Sequence, residues 1–565
     1  GHALALRLLG NYLSVLHHGD IRRRDRVRQL TAEESDGGHA KRVMEAYVNW
    51  FGQDVKYQPE LTLLCLVGLF DRPAPVGALE ALAAAGGDAK GLLNLKGLVN
   101  LSPEKQKYTL KHLADLDLLT INYSTSTLPQ TPARLPGFEG VESLDAHPLV
   151  REFFGEKLQK TDLKRWRKCH AILYEYYKAL PEKELPDTLE EMEPLFSAVA
   201  HGCRAGLHEE VWSEVYLKRV QRGNEHYTLH KLGAFGSLVT ALSWFFERLW
   251  EQPAAGLTEA DKALVLSWAG FGLRALGRLG EAAQPMKASL EWAVNKGDWE
   301  PAAACASNLS ELYLTAGDVR QAVRYGEESV TYADRSGDWE QQMINRNTHA
   351  DALHQVGDLQ EAAHLFADAE RIQQEKQQRY RFLYSLSGFR YCDLLMGIGR
   401  MEEVLERAKF MKERSAADLR TPILSVAIEI LILSKAHALL AQTDPGSKHP
   451  QHAATYLDQA VEGLRKAGRQ DYLPRALLAR AAWHRHTQAE QAAEADLAEV
   501  WDIAEPSGMK LHLCDYHLEM SRLRHAQGNL PEAKTHLQAA AKLIEETGYH
   551  RRDKELADLS RQLSE

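Results

Sequence analysis

Apolar residues recur at helical spacing along most of the chain, and the same short turn interrupts them at intervals near forty residues. Four copies of that turn are clear: Leu276-Gly277-Arg278-Leu279-Gly280-Glu281-Ala282, Ala316-Gly317-Asp318-Val319-Arg320-Gln321-Ala322, Val356-Gly357-Asp358-Leu359-Gln360-Glu361-Ala362 and Gln527-Gly528-Asn529-Leu530-Pro531-Glu532-Ala533. Gly399-Arg400-Met401-Glu402-Glu403-Val404 is a degenerate fifth. Twelve positions before the Ala that opens the second helix, or before Val404, stands a small residue: Gly270, Ser310, Ala350, Cys392 and Ser521. Seven positions after it come Ser289, Ser329, Ala369 and Ala540, with Met411 the exception. Small residues at both places let antiparallel helices approach closely, so the pattern predicts stacked helical hairpins, each stable only through its neighbours.

Further helices are predicted over 452–467 and 489–505, giving roughly seven hairpins, and Asp444-Pro445-Gly446-Ser447-Lys448-His449-Pro450 reads as a long loop inside one of them. The first 160 residues differ. Leu61–Phe70, Val76–Ala84 and Glu104–Leu116 read as helices, Leu118–Tyr123 as a strand, Ser124–Glu142 as a loop or wing, and Val141–Leu144 as a second strand before a helix from Pro148. Three helices and a two-stranded wing make a winged-helix plan.

At 565 residues the chain exceeds what one core usually serves, which fits several domains or an extended array. The net charge of −10 and the absence of a long Lys/Arg run give no electrostatic footprint for nucleic acid; the nearest feature, Arg22, Arg23, Arg24, Arg26 and Arg28, reads as a solvated helix face. Six cysteines without a CxxC pair argue against a disulfide framework or a zinc ribbon and read as reduced residues of a cytoplasmic protein. The N-terminus lacks a signal-peptide plan, and the apolar stretches read as shorter than the roughly 20 residues of a membrane span.

The hairpin pattern over about Thr258–Leu563 resembles the tetratricopeptide repeat, in a variant with longer helices. Two motifs extend the resemblance. Gly1-His2-Ala3-Leu4-Ala5-Leu6-Arg7-Leu8-Leu9-Gly10 is similar to the GxPLAL-type helix start that follows the core of NB-ARC or STAND nucleotide switches. Ala146-His147-Pro148-Leu149-Val150-Arg151-Glu152-Phe153-Phe154 is similar to the winged-helix "MHD" segment of the same switches. Ala3 stands where the family often has Pro, and Pro148 where it often has Asp. The resemblance implies a nucleotide-sensing role for Ala3 and His147, with the imidazole reaching the phosphates of ADP. Arg222–Gly236, with Trp244, Phe245, Phe246 and Trp250 behind it, is similar to the segment that leads from switch to repeats in bacterial STAND proteins, or is the aromatic-capped start of the solenoid.

The chain has no GxxxxGK[ST] phosphate loop and no GxSxG, so it is not expected to be an enzyme; ADP or ATP is expected only with a nucleotide-binding core outside this sequence. His349 with His354, and His449 with His452, lack the further ligand of an HExxH-type site, so no metal is expected. In tetratricopeptide arrays the first helix of each hairpin lines the concave groove. That places Arg274, Glu311, Asn347, Asp351, His354, Asp393 and Arg522 in a ligand groove, beside Phe271, Leu314 and Phe389.

The expected fold is mainly α, with a winged-helix domain followed by a right-handed α-solenoid of tetratricopeptide-like hairpins. Its divisions are a helical piece of the nucleotide-switch module at 1–52, a winged helix at 53–160, a helical linker and first hairpins at 161–257, and a sensor solenoid at 258–565. The expected function is the regulatory and sensing half of a STAND-type switch, with antiviral defence among the settings the resemblance allows. A protein or peptide would bind the solenoid, and the switch core and an effector would be partners, oligomerising on activation. No nucleic acid or membrane partner is expected. A winged-helix transcription regulator, with Lys105, Lys107 and Lys111 on its reading helix, and a passive protein scaffold are the alternatives.

Overall fold

The computed structural model describes residues 2–17, 38–86, 92–125, 134–418 and 420–564. Gly1 and the arginine cluster at 22–28 lie outside the described residues. The chain divides into two compact units, Gly1–Tyr216 and Leu217–Glu565, a division that falls inside the stretch 161–257 read as a linker.

In the first unit, α1 (His2–His17) and α2 (Gly38–Gly52) precede α3 (Gln58–Val67), β1 (Ala74–Pro75), α4 (Val76–Ala84), α5 (Leu95–Val99), α6 (Pro103–Asp115), β2 (Thr120–Tyr123), β3 (Val141–Asp145) and α7 (Pro148–Thr161). The expected helices and both expected strands are present. They come with a strand the hydrophobic pattern did not reveal: β1 pairs antiparallel with β3, giving the sheet order β1-β3-β2. Two residues are too short to show alternation. The segment read as a loop or wing is partly core, since Leu135 and Phe138 are fully buried; 126–133 of it lie outside the described residues. Helix α1 is tied to the end of α6 by Arg7, whose Nε donates to Asp117 Oδ2 at 2.7 Å, and by Asn11 Nδ2, which donates to the same oxygen at 2.8 Å. Helices α8 (Leu163–Ala179) and α9 (Leu189–Ala205) form a hairpin, followed by α10 (His208–Glu210) and a π-helical stretch, Val211–Gln221.

The second unit is a helical solenoid. After α11 (Tyr227–His230), α12 (Phe235–Ser243) and a small ribbon of β4 (Phe246–Arg248) with β5 (Gln252–Pro253), seven hairpins follow. They pair α13 (Glu259–Ala275) with α14 (Leu279–Lys296), α15 (Trp299–Ala316) with α16 (Val319–Ser336), and α17 (Trp339–Val356) with α18 (Leu359–Lys376). Next come α19 (Ser385–Gly397) with α20 (Met401–Ala417), and α21 (Ile423–Thr443) with α22 (His449–Lys466). Last are α23 (Leu473–His486) with α24 (Glu490–Ser507), and α25 (Lys510–Ala526) with α26 (Leu530–Thr547). A 3₁₀ turn, His550–Arg552, and α27 (Asp553–Gln562) end the array.

The repeated turn works as its residues require. Gly317 takes a left-handed φ of 85° to stop α15, and Asp318 then accepts from the Gln321 amide at 3.1 Å to start α16. Asp358 does the same for α18 and Asn529 for α26. The small residues do more than leave space. Ser310 Oγ donates to the Ala322 carbonyl at 2.7 Å, and Ser521 Oγ to the Ala533 carbonyl at 2.8 Å, so the residue twelve positions back bonds the opening turn of the second helix. At Gly270 a Cβ would stand 3.1 Å from the equivalent carbonyl, Ala282 O, and 2.5 Å from Met286 Cγ.

One expectation is corrected. Among the described residues Ile423–Thr443 is, by length and a mean hydropathy of 1.9, apolar enough to cross a membrane. Glu429 and Lys435 interrupt its 21 residues, so no continuous apolar run in it approaches that length. In the fold this helix is the centre of the core: Ile428, Leu431 and Ile432 are fully buried against Val404, Leu464 and Leu477.

The solenoid curls back on itself. The Gln470 amide donates to the Ala275 carbonyl at 2.8 Å, which brings the turn before α23 against the end of α13. Farther along, a Cβ on Gly317 would meet Lys510 Cβ at 2.6 Å, and Arg551 reaches Gln355 at 3.2 Å. The first helices of the early hairpins therefore face residues from about five hairpins later.

Candidate functional site

Charged side chains from both ends of the array meet in this interior. Arg274 on α13 is buried and pairs with Glu311 on α15 at 2.6 Å, and Arg390 on α19 grips the same carboxylate and lies 3.4 Å from Asp351. Asn347 Nδ2 donates to the Ser387 carbonyl at 3.0 Å, and its Oδ1 accepts from Arg390 at 3.4 Å. Arg469 forks onto Asp471 at 2.7 and 2.6 Å, and Asp471 also lies 3.7 Å from Arg274. Burial works against the charge on Glu311, yet Arg274 and Arg390 outweigh it and hold the carboxyl at about 2. Four of the seven residues read as a groove, Arg274, Glu311, Asn347 and Asp351, thus belong to one paired, buried network.

Beyond that network the interior opens into a cavity of about 340 Å³. Asp393 and Arg522, two more of the seven, line it, together with Phe389. His354 does not line it but is buried nearby, its Nδ1 without a hydrogen bond, and burial followed by the charge of Arg551 keeps its imidazole neutral well below the usual range. Asp393 binds Lys435 Nζ at 2.6 Å and Arg551 Nη1 at 2.6 Å. Burial again opposes the carboxylate, and the two cations overcome it, holding Asp393 well below its ordinary value. Arg522 lies 3.3 Å from Glu519 and 2.8 Å from Glu555, and Arg552 lies 2.8 Å from Asp515. Apolar walls come from Phe389, Leu439, Leu478, Leu511 and Leu518. A second cavity of about 270 Å³ adjoins the first, sharing Lys435, Leu439 and Ala479 with it and ending at Trp483 and His486.

Sequence reasoning missed Lys435, Arg475, Asp515, Arg551 and Arg552, which come from later hairpins and the C-terminal turn. Counting back from each repeated turn finds residues on the inner side of one hairpin; it does not reveal which hairpin lies opposite. Lys435 carried the one available signal, a lysine in the middle of a mostly apolar helix.

Ala3 is exposed in the first turn of α1, and His147 is exposed as the N-cap of α7, its Nδ1 accepting from the Leu149 amide at 3.2 Å. On α6, Lys105, Lys107 and Lys111 are exposed beside Glu104 and Asp115. All six cysteines are buried and free.

No family profile and no curated protein matches the chain. Among solved structures the chain is similar to a signal transduction ATPase with numerous domains (STAND) from Pyrococcus horikoshii that carries a tetratricopeptide repeat sensor. The identity is 14% and the TM-score 0.36, over 98% of this chain and 71% of that one. It is also similar to a Rap protein complexed with Competence and Sporulation Factor, at 11% identity and a TM-score of 0.29, over 72% of this chain and 96% of that one. At this level of similarity, function has to be argued from the chain's own residues.

Proposed function

We propose that the solenoid is a sensor that takes a peptide or an extended protein segment into its interior, and that this binding is passed to a nucleotide-dependent switch and an effector. One observation carries the sensing part: two adjoining cavities share Lys435, Leu439 and Ala479 and together make a slot whose lining mixes apolar with charged side chains. A slot of that form suits an extended chain, whose backbone and side chains offer alternating polar and apolar groups. It is built across hairpins, so an occupant would bear on the spacing between α17, α19, α21, α23 and α25 together. Moving such an array from mostly one state to mostly another takes roughly 5.5 kcal/mol of differential binding.

The switch part rests on the resemblance of the segments around Ala3 and His147 to a nucleotide-switch module, and on the winged-helix element order between them. With such a module attached, His147→Ala is expected to change ADP retention; unchanged retention would remove the switch from this reading.

The sensing part is tested by filling the slot. Ala479→Trp places an indole where the two cavities meet. Peptides enriched from a random library on the wild-type chain should be lost on this variant, provided it melts like wild type. Equal enrichment on both would move binding elsewhere.

A further inference from the structure

The cavity is lined by four carboxylates, Asp393, Asp515, Glu519 and Glu555, and by five cations, Lys435, Arg475, Arg522, Arg551 and Arg552. Each carboxylate has at least one cation within ion-pair distance, and four of the cations are used in this way. Arg475 is the exception. Among the described residues it forms no ion pair and no side-chain hydrogen bond, and its Nε is buried without a partner. It does lie against aromatic rings, its guanidinium 5.3 Å from the centroid of Tyr472 and 5.7 Å from that of Phe389, contacts that support a cation without neutralising it. Arg475 also sits in the first turn of α23, where the helix dipole is itself positive and no acidic residue offsets it. Burial opposes its charge and the more distant Asp351 and Asp393 favour it, but no carboxylate reaches ion-pair distance, and the fold leaves the guanidinium facing a cavity.

Resting on the peptide-sensor reading above, we infer that the ligand is an anionic peptide whose carboxylate pairs with Arg475 inside the cavity. The charge count selects the anion. The one lining cation without an ion pair matches one carboxylate, whereas a phosphate, with a charge near −2, would set a second negative charge beside four resident carboxylates. A guanidinium fork also matches the planar carboxylate with two parallel hydrogen bonds. The carboxylate can come from an Asp or Glu side chain or from a free C-terminus, and the two sources are separable by experiment.

The test uses the whole chain and two synthetic hexapeptide libraries, one with free C-termini and one amidated, enriched on wild type, Arg475→Gln, Arg475→Lys and Ala479→Trp. The expected result is that wild type enriches carboxylate-bearing peptides, that Arg475→Gln lowers their affinity at least tenfold, and that Arg475→Lys recovers part of it. Enrichment of Asp- or Glu-containing sequences from both libraries would assign a side chain; enrichment from the free-acid library alone would assign a C-terminus. Enrichment of neutral peptides that is lost on Ala479→Trp but equal on Arg475→Gln overturns the anionic ligand and leaves the sensor reading standing. Enrichment no greater than on Ala479→Trp overturns both. A second readout needs no ligand: Arg475→Gln should melt close to the wild-type temperature, and a clear drop would show Arg475 to be a structural residue instead.

Discussion

Arg274 and Glu311, on the first helices of successive hairpins, meet at 2.6 Å in the solenoid interior, and the same carboxylate also binds Arg390. One carboxylate thus holds two guanidiniums that would otherwise repel each other in a dry place. Removing it by Glu311→Gln should destabilise the second unit by about 3–5 kcal/mol, the usual range for stranding a buried partner charge. Urea unfolding of the single variant against the triple variant Arg274→Met, Glu311→Leu, Arg390→Met checks this. The triple variant should recover part of the loss: no guanidinium is left without its carboxylate, while Asp351 loses Arg390 and keeps only its bond from Gln355.

Gly233 and Gly468 define a second close approach, where the segment leading into the array meets the turn after α22. A Cβ on Gly233 would stand 2.2 Å from the Lys466 carbonyl, one on Gly468 2.2 Å from the Gly233 carbonyl, and both residues have φ above 60°. The obstructing atoms are backbone, so neither side can yield easily. Gly233→Ala is expected to lower stability by about 1–3 kcal/mol. Limited proteolysis near 231–236 should accelerate with it; unchanged cleavage and melting would show that this contact does not hold the segment down.

The hairpins were legible because their signal is local. A left-handed Gly, a capping Asp or Asn and small residues at fixed distances act within about forty residues, as Ser310 and Ser521 show by bonding Ala322 and Ala533. The inner face was legible for the same reason, and Arg274, Glu311, Asn347, Asp351, His354, Asp393 and Arg522 do turn toward one interior. What they meet there was hidden. Arg551 pairs with Asp393 across 158 positions, and nothing in the local pattern encodes how far the array curls before its turns touch. The strand at Ala74–Pro75 was hidden by its brevity, and in the helix at 423–443 two charged residues interrupt an apolar segment that is more than half buried.

His512 is one of the buried and half-buried histidines that set the acid limb of stability. Burial, and then the charge of Arg475, lower its pKa from 6.5 to about 4, against the opposing pull of Asp515 and Asp471. The unfolded chain therefore takes up a proton as pH falls through 6.5 while the folded one resists until about 4, so stability declines across that window. The full shift corresponds to roughly 3 kcal/mol. His512→Gln keeps a donor for the Asp471 carbonyl, which His512 Nε2 approaches at 3.2 Å, and removes the titration. Its melting temperature should change less between pH 6.5 and 4 than that of wild type; parallel curves would assign the acid limb to other groups.

Glu429 acts in the opposite direction. It is 1% exposed in the apolar helix 423–443, and Ser415 Oγ donates to its Oε2 at 2.5 Å. Burial lifts its pKa from 4.5 to about 7, and the Ser415 bond and nearby Arg414 offset only part of that. Because the folded value lies above the unfolded one, the folded chain holds a proton that the unfolded chain has already lost once the pH passes 4.5. Its contribution is therefore largest below 4.5 and is progressively lost as pH rises through 7. Glu429→Gln keeps the shape and an acceptor for Ser415 while removing the charge. The variant should gain melting temperature relative to wild type at pH 8 and show little gain at pH 5. A loss at pH 8 would mean that the carboxylate is paired and ionised in the fold, and that Arg414 dominates over burial at this position.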